Sequence, residues 1–293
     1  MTPYDPHRWT SHLFDIEGSM VREILGRVSA CVVWSVLIVA LYQYGPEWFD
    51  NLAIAETAHA LIGASMGLLL VFRTNASYDR FWEGRKLWGG IVNQSRNLAR
   101  QAAAWLAADR ELAQRTIWWT VAFAYGTMHR LRGTSDIGAA TNHLSAEAVS
   151  EVLSAGHVPL AVSRRLTELI ASARDRRLID GDQLRCLDQN VQLLIDHCGA
   201  CERIRSTPLP FAYAVHLRRA LIAYCFTLPL ALVQSYGWET VPVTLMIAYV
   251  LFGIEEIGVE IEDPFGSDVN DLPLKAICET IEQNLREVAD SVA

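Results

Sequence analysis

GASMGLLLVFRTNASYDRFWEGRKLW, residues 63–88, changes character part-way along with no proline to interrupt it. Its first part is apolar, with small residues at Gly63, Ala64, Ser65 and Gly67. Its second part is charged and aromatic, with Arg73, Asp79, Arg80, Trp82, Glu83, Arg85, Lys86 and Trp88. One long helix accounts for both, its first half lying in a membrane and its second emerging into water. Small residues let helix backbones approach closely in lipid, and the basic onset at Arg73 marks a cytoplasmic exit. Ala64, Leu68 and Phe72 recur every fourth residue and share one helical face. That face either packs against a neighbouring helix or lines a narrow apolar constriction, and spacing alone favours packing.

The composition fits a hybrid of membrane and water-exposed parts. The chain of 293 residues is 51% hydrophobic, yet 20% of it is charged, too much for a protein that lies wholly in lipid. A formal net charge of −8 argues against a nucleic-acid partner. The six cysteines, Cys31, Cys186, Cys198, Cys201, Cys225 and Cys278, are not spaced as a secreted disulfide framework and fit a reducing interior. The first twenty residues carry Asp5, Asp15 and Glu17 and lack the apolar core of a signal peptide, so they read as a retained cytosolic segment. Trp9, Leu13 and Phe14 suit the membrane surface.

Outward from the central stretch, the hydropathy predicts four spans. The first runs from about Ile24 to Tyr44, behind Arg22 and Arg27 and ahead of an aromatic belt of Tyr42, Tyr44 and Trp48. The loop to Glu56 has no basic residue and reads as external, so the second span returns inward at Arg73. The third, about Ala220 to Tyr236, follows a breaker at 206–210 and a crowd of arginines. The fourth, about Val241 to Ile254, runs into Glu255, Glu256 and Glu260. Glu256 and Glu260 lie one turn apart and form either a solvated face or an acidic lining of an inner vestibule. Between the two pairs of spans, residues 74–210 have the texture of packed soluble helices. The apolar run Thr116 to Met128 is too short to span and predicts a buried helix. Further helices are expected near 145, over 159–174 and over 182–204, with a turn at 176–182. In the tail, Asp268 and Asp271 sit in a turn before a helix over 274–288. They could offer oxygen ligands to Ca²⁺, although the usual calcium-loop pattern is not matched and a capped turn is the simpler reading.

The resulting fold class is all-α. Residues 1–23 form an N-terminal cytosolic or interfacial segment, and 24–73 spans 1 and 2. Residues 74–210 form a cytosolic helical region, 211–260 spans 3 and 4, and 261–293 a cytosolic tail. An intramembrane enzyme would need a nucleophile with its base, or metal ligands, inside the spans. His-Glu-x-x-His is absent. His59 is alone in the second span and invites a pore-facing reading. His197, Cys198 and Cys201 lack the second ligand pair that a zinc site needs.

Several stretches together carry a family resemblance: Trp9 with Leu-Phe-Asp at 13–15, Phe-Arg-Thr-Asn-Ala-Ser-Tyr-Asp-Arg-Phe-Trp-Glu at 72–83, Arg-Lys-Leu-Trp-Gly at 85–89, Cys-Glu-Arg-Ile at 201–204, Thr-Pro-Leu-Pro at 207–210 and Glu-Asp-Pro-Phe-Gly at 262–266. The chain resembles the bestrophin family of ion channels, prokaryotic branch. The resemblance implies a homopentamer around one axis in the inner (plasma) membrane, with both termini cytoplasmic. It also implies an apolar neck at Ala64, Leu68 and Phe72, reversing the preference for simple packing. Ala64 is smaller than the bulky residue usual at its position. A second, cytosolic aperture falls within Leu178 to Leu184, where Asp182 facing the axis would favour cations and Ile179 or Leu184 would make it apolar. The calcium clasp of animal relatives has Ser267 at its first carboxylate position here, which argues against calcium control. The expected function is passage of small monovalent ions, leaning to cations, with lipid and other copies of the chain as partners and no required cofactor. The alternatives are a chloride channel of the same architecture and a non-conducting scaffold or transporter.

Overall fold

The computed structural model describes residues 20–52 and 54–292, so the expectations for Trp9, Leu13 and Phe14 lie outside the described residues. Among the described residues there are helices and no strands. The main helices are α1 Val21–Tyr44, α2 Glu56–Trp105, α3 Arg110–Arg132, α4 Ala146–Ser154, α5 Val158–Asp175, α6 Gly181–Ser206, α7 Phe211–Tyr236, α8 Thr240–Glu260 and α9 Leu274–Ser291. They divide between two compact units, each built from separated parts of the chain.

The first unit comprises Met1–Phe81 and Pro208–Asp263. In it α1 packs on α7 and α8, and these two pack on each other. Ile24 and Val28 of α1, Met66 and Leu70 of α2, Leu221 and Leu228 of α7 and Phe252 of α8 make one buried core. Hydrogen bonds tie its helices together: Trp34 Nε1 donates to the Phe226 carbonyl at 2.8 Å, and the Tyr213 hydroxyl donates to the Leu69 carbonyl at 3.1 Å. Gly63 shows why small residues are needed, since a Cβ there would fall 2.5 Å from the Tyr224 hydroxyl.

Among the described residues, three stretches are long and apolar enough to cross a membrane: Val21–Tyr44, Glu56–Trp105 and Phe211–Glu260. The last is divided between α7 and α8 by a 3₁₀ turn at Gly237–Glu239, where Gly237 adopts φ +50°. Pro229 lies inside α7 without ending it.

The second unit comprises Trp82–Thr207 and Pro264–Ala293. Its centre is α3, in which every residue from Thr116 to Met128 is buried. The short apolar run is therefore a core helix, as its length predicts. Helices α5 and α9 pack against it, and α6 packs on α5. Thr116, Thr120 and Thr127 satisfy their buried hydroxyls by donating to the carbonyls of Leu112, Thr116 and Phe123. Helix α9 offers Leu274, Cys278, Ile281, Leu285 and Ala289 as its buried stripe. Helix α6 begins at a capping box: Asp180 accepts from the Asp182 and Gln183 amides, and the Gln183 side chain accepts from the Asp180 amide.

Two boundaries differ from those read in the sequence. The first unit follows α2 to Phe81 rather than stopping at Arg73, and residues from Pro264 onward join the second unit rather than standing apart. The first difference has a local cause, because Arg73 does not leave the packed region at all.

Candidate pore-lining site

Helix α2 has two distinct faces in the first unit. Met66, Leu70, Arg73 and Ser77 are buried, whereas Ala64, Leu68 and Phe72 are exposed on the protomer. Leu68 and Phe72 each keep 57% of their surface open, a large apolar exposure for two residues one turn apart. The three residues singled out by spacing thus share a face that the protomer leaves uncovered.

The buried face ends in charge. Arg73 is 1% exposed and donates from Nη1 to Glu255 Oε1 at 2.7 Å. The same oxygen accepts from Arg218 Nε at 3.0 Å, and Arg27 Nη1 reaches Glu255 Oε2 at 3.4 Å. Arg27 also holds Glu256 at 2.7 Å. Arg73 lies 3.8 Å from Glu262, whose carboxylate accepts from the Leu209 amide. Glu255, buried to 3%, is therefore the hub for arginines from α1, α2 and α7. A buried carboxylate is tolerable only with such partners. No sequence motif marked Glu255 above its neighbours, since its three cations come from distant segments.

This network engages the carboxylates expected at an inner vestibule. Glu256 is ion-paired, with a side chain only 12% exposed, and Glu260 is half-buried and also engaged. Neither is a bare carboxylate facing solvent. Arg73 likewise turns inward to Glu255 rather than outward to solvent.

The turn between α5 and α6 separates the three aperture candidates. Ile179 is 3% exposed and belongs to the protomer core, which removes its side chain from any surface aperture. Asp182 is open to solvent and ion-paired to Arg185, and Leu184 is half-buried. In the tail, Asp271 is buried, and its carboxylate accepts from the Asp268 amide at 2.7 Å, closing the turn on itself. Among the described residues no group of three or more His, Cys, Asp or Glu side chains could hold a metal ion.

The remaining chemical candidates resolve into packing. His59 is 4% exposed, lies 3.1 Å from the Thr227 hydroxyl and stacks on Tyr224, so it faces α7 rather than the open side of α2. Cys198 and Cys201 are fully buried. Burial pushes the Cys198 thiol up to about 12 and Cys201 higher still, which leaves both protonated and inert. Gly63-Ala64-Ser65-Met66-Gly67 spells the Gly-x-Ser-x-Gly pattern of serine hydrolases, which sequence reasoning passed over. That chemistry needs a strained strand-to-helix turn, whereas Ser65 lies within α2 and its hydroxyl donates to the Leu61 carbonyl at 3.0 Å.

Residues 1–287 match the family model for bacterial and fungal bestrophin proteins. The chain belongs to the bestrophin family. It is 39% identical to a voltage-dependent anion channel-forming protein of Nostoc sp., over 96% of this chain and 91% of that one. A voltage-dependent anion channel-forming protein of Synechocystis sp. is 37% identical, over 97% and 92%. Among solved structures, a bacterial bestrophin homolog from Klebsiella pneumoniae is similar with a TM-score of 0.85 and 32% identity, covering 91% of this chain and 98% of that one. The bestrophin chain is thus an ion-channel protein of the membrane and not an enzyme.

Proposed function

We propose that this bestrophin forms a homopentameric channel in the inner (plasma) membrane and passes small anions through a neck ringed by Ala64, Leu68 and Phe72. The observation that carries the reading is the division of α2 into two faces, one locked into the protomer through Arg73 and Glu255, the other apolar and uncovered. Four crossings, α1, the first half of α2, α7 and α8, would place both termini on the cytoplasmic side. Arg22, Arg27, Arg218 and Arg219 then lie inside, as the distribution of basic residues around spans requires. Apolar constrictions gate by dewetting, so narrowness and apolarity act together. Ala64, being small, makes the outermost of the three rings the widest.

Anions replace the cation-leaning expectation for two reasons. Glu256 is tied to Arg27 and Asp182 to Arg185, which offsets the negative charge they would offer a cation. The Nostoc and Synechocystis relatives also carry anion-channel names. In the cytosolic unit, Asp182 and Leu184 remain as aperture positions. We take the pore to need no bound metal, because the Asp271 carboxylate is engaged in its own turn.

The test is the reversal potential of the purified channel in a planar bilayer under a salt gradient, with and without calcium. Reversal near the chloride equilibrium potential, independent of calcium, is expected. Reversal near the cation potential would keep the pore and overturn the anion reading. No current at any voltage would return the chain to the scaffold or transporter alternatives.

A further inference from the structure

A groove of about 470 Å³ opens on the side of the first unit between α1 and α7. Its two ends differ chemically. Arg27 and Arg218 stand at one end over the buried Glu255 carboxylate, and apolar side chains that include Ala30, Trp34, Ile222 and Phe226 line the rest. From Arg27 to Trp34 the helix rises roughly 10 Å, so the groove runs from charge into hydrocarbon over about half a leaflet. Its floor is rigid, because Trp34 stacks on Phe226 with ring centroids 4.4 Å apart and its indole N–H is held by the Phe226 carbonyl. The arginines are only partly used: Arg27 reaches its glutamates through Nη1 alone and Arg218 through Nε alone. Their side chains are 46% and 55% exposed, and each guanidinium has further N–H donors to offer.

We infer that this groove is a binding site for an anionic phospholipid, its phosphate held by Arg27 and Arg218 and one acyl chain lying over Trp34, Phe226 and Ile222. Guanidinium groups pair with phosphate through several N–H donors at once, which a zwitterionic headgroup with its own cation engages less well. The bound phosphate sits beside the arginines that clasp Glu255, so the lipid also braces the ends of α1 and α7. The inference rests on the membrane-spanning reading but not on conduction, and its test reads lipid rather than current.

The full chain is purified in detergent, and dioleoyl phosphatidylglycerol or dioleoyl phosphatidylcholine is added before native mass spectrometry and thermal unfolding. Phosphatidylglycerol is expected to be retained and to raise the Tm, with phosphatidylcholine retained far less. Arg218→Gln should weaken phosphatidylglycerol retention about tenfold, the scale of one charge-assisted hydrogen bond. Ala30→Trp plugs the groove from an exposed position and should abolish retention while gel filtration and helicity stay unchanged. A photo-crosslinking residue at position 30 should capture lipid. Equal retention of the two lipids in wild type and both variants would overturn the inference, as would capture of a second protein chain at position 30, which would make the groove a subunit contact.

Discussion

Glu255 is the residue on which the membrane unit turns. Arg73 and Glu255 are both nearly sealed from solvent, at 1% and 3% exposure, while Arg27 and Arg218 keep about half their surface open. Removing the carboxylate therefore leaves buried Arg73 with only Glu262 at 3.8 Å and frees Arg218, while Arg27 keeps Glu256. Glu255→Gln should cost about 3–5 kcal/mol, the usual scale for breaking a buried ion pair. Replacing both partners, Arg73→Met with Glu255→Met, should cost less than either single change, because no bare charge remains. Thermal unfolding of wild type, the two single methionine variants and the double variant in detergent measures the coupling. A second carboxylate, Glu202 in the other unit, is held by Arg130 at 2.8 Å and His157 at 3.1 Å. Burial pushes its carboxyl up, but the bonds to Arg130 and His157 outweigh this and leave it below the ordinary value. A depressed carboxyl stabilises the fold above its unfolded value and loses that contribution as pH falls through the folded one. Glu202→Gln should therefore lower stability at neutral pH by about 1 kcal/mol, the scale of a half-exposed pair. The difference from wild type should vanish in acid. A denaturation series against pH tests the sign.

At the scale of the element, α2 shows what its sequence discloses and what it conceals. The shared face of Ala64, Leu68 and Phe72 is legible because a helix repeats every 3.6 residues and those positions are apolar. The inward turn of Arg73 is not legible, since its partner Glu255 lies 182 residues further along and only folding brings them together. The aperture segment behaves likewise. The turn at 176–182 reads plainly from Asp180 and Gly181, yet nothing local tells that Ile179 points into the core while Asp182 points out. Neighbouring positions on α2 give a sharp contrast for experiment. Leu70 is 1% exposed and sits in the buried core, so Leu70→Ala should cost about 2–5 kcal/mol of stability. Leu68 is on the open face, so Leu68→Ala should leave the Tm nearly unchanged and raise single-channel current or open probability by widening and wetting the neck. Unchanged current from a folded, conducting Leu68→Ala protein would place the constriction elsewhere.

Over the whole molecule, the chain builds each unit from separated segments, so a domain cut drawn on sequence cannot match the fold. Residues 264–293 return to cover α3, and 208–263 return to pack on α1. Hydropathy located the apolar stretches because each is a local property, whereas the partners of α9 are set by its buried stripe and appear only in the folded chain. The uncovered face of α2 has the same logic one level higher, since an apolar surface in a single protomer points to cover supplied by lipid or by further copies. If five copies place Leu68 around one axis, the neck is a property of the assembly and no protomer owns it. Co-expression of wild-type and Leu68→Ala chains carrying different tags, followed by purification of mixed channels, distinguishes the arrangements. A shared neck widens step by step as each leucine is lost, giving a graded ladder of conductance levels between the two pure channels. A separate path through each protomer would give only the two parental levels in parallel, whatever the mixing ratio. Intermediate levels are the expected outcome, because one ring of side chains cannot be wide for one subunit and narrow for its neighbour.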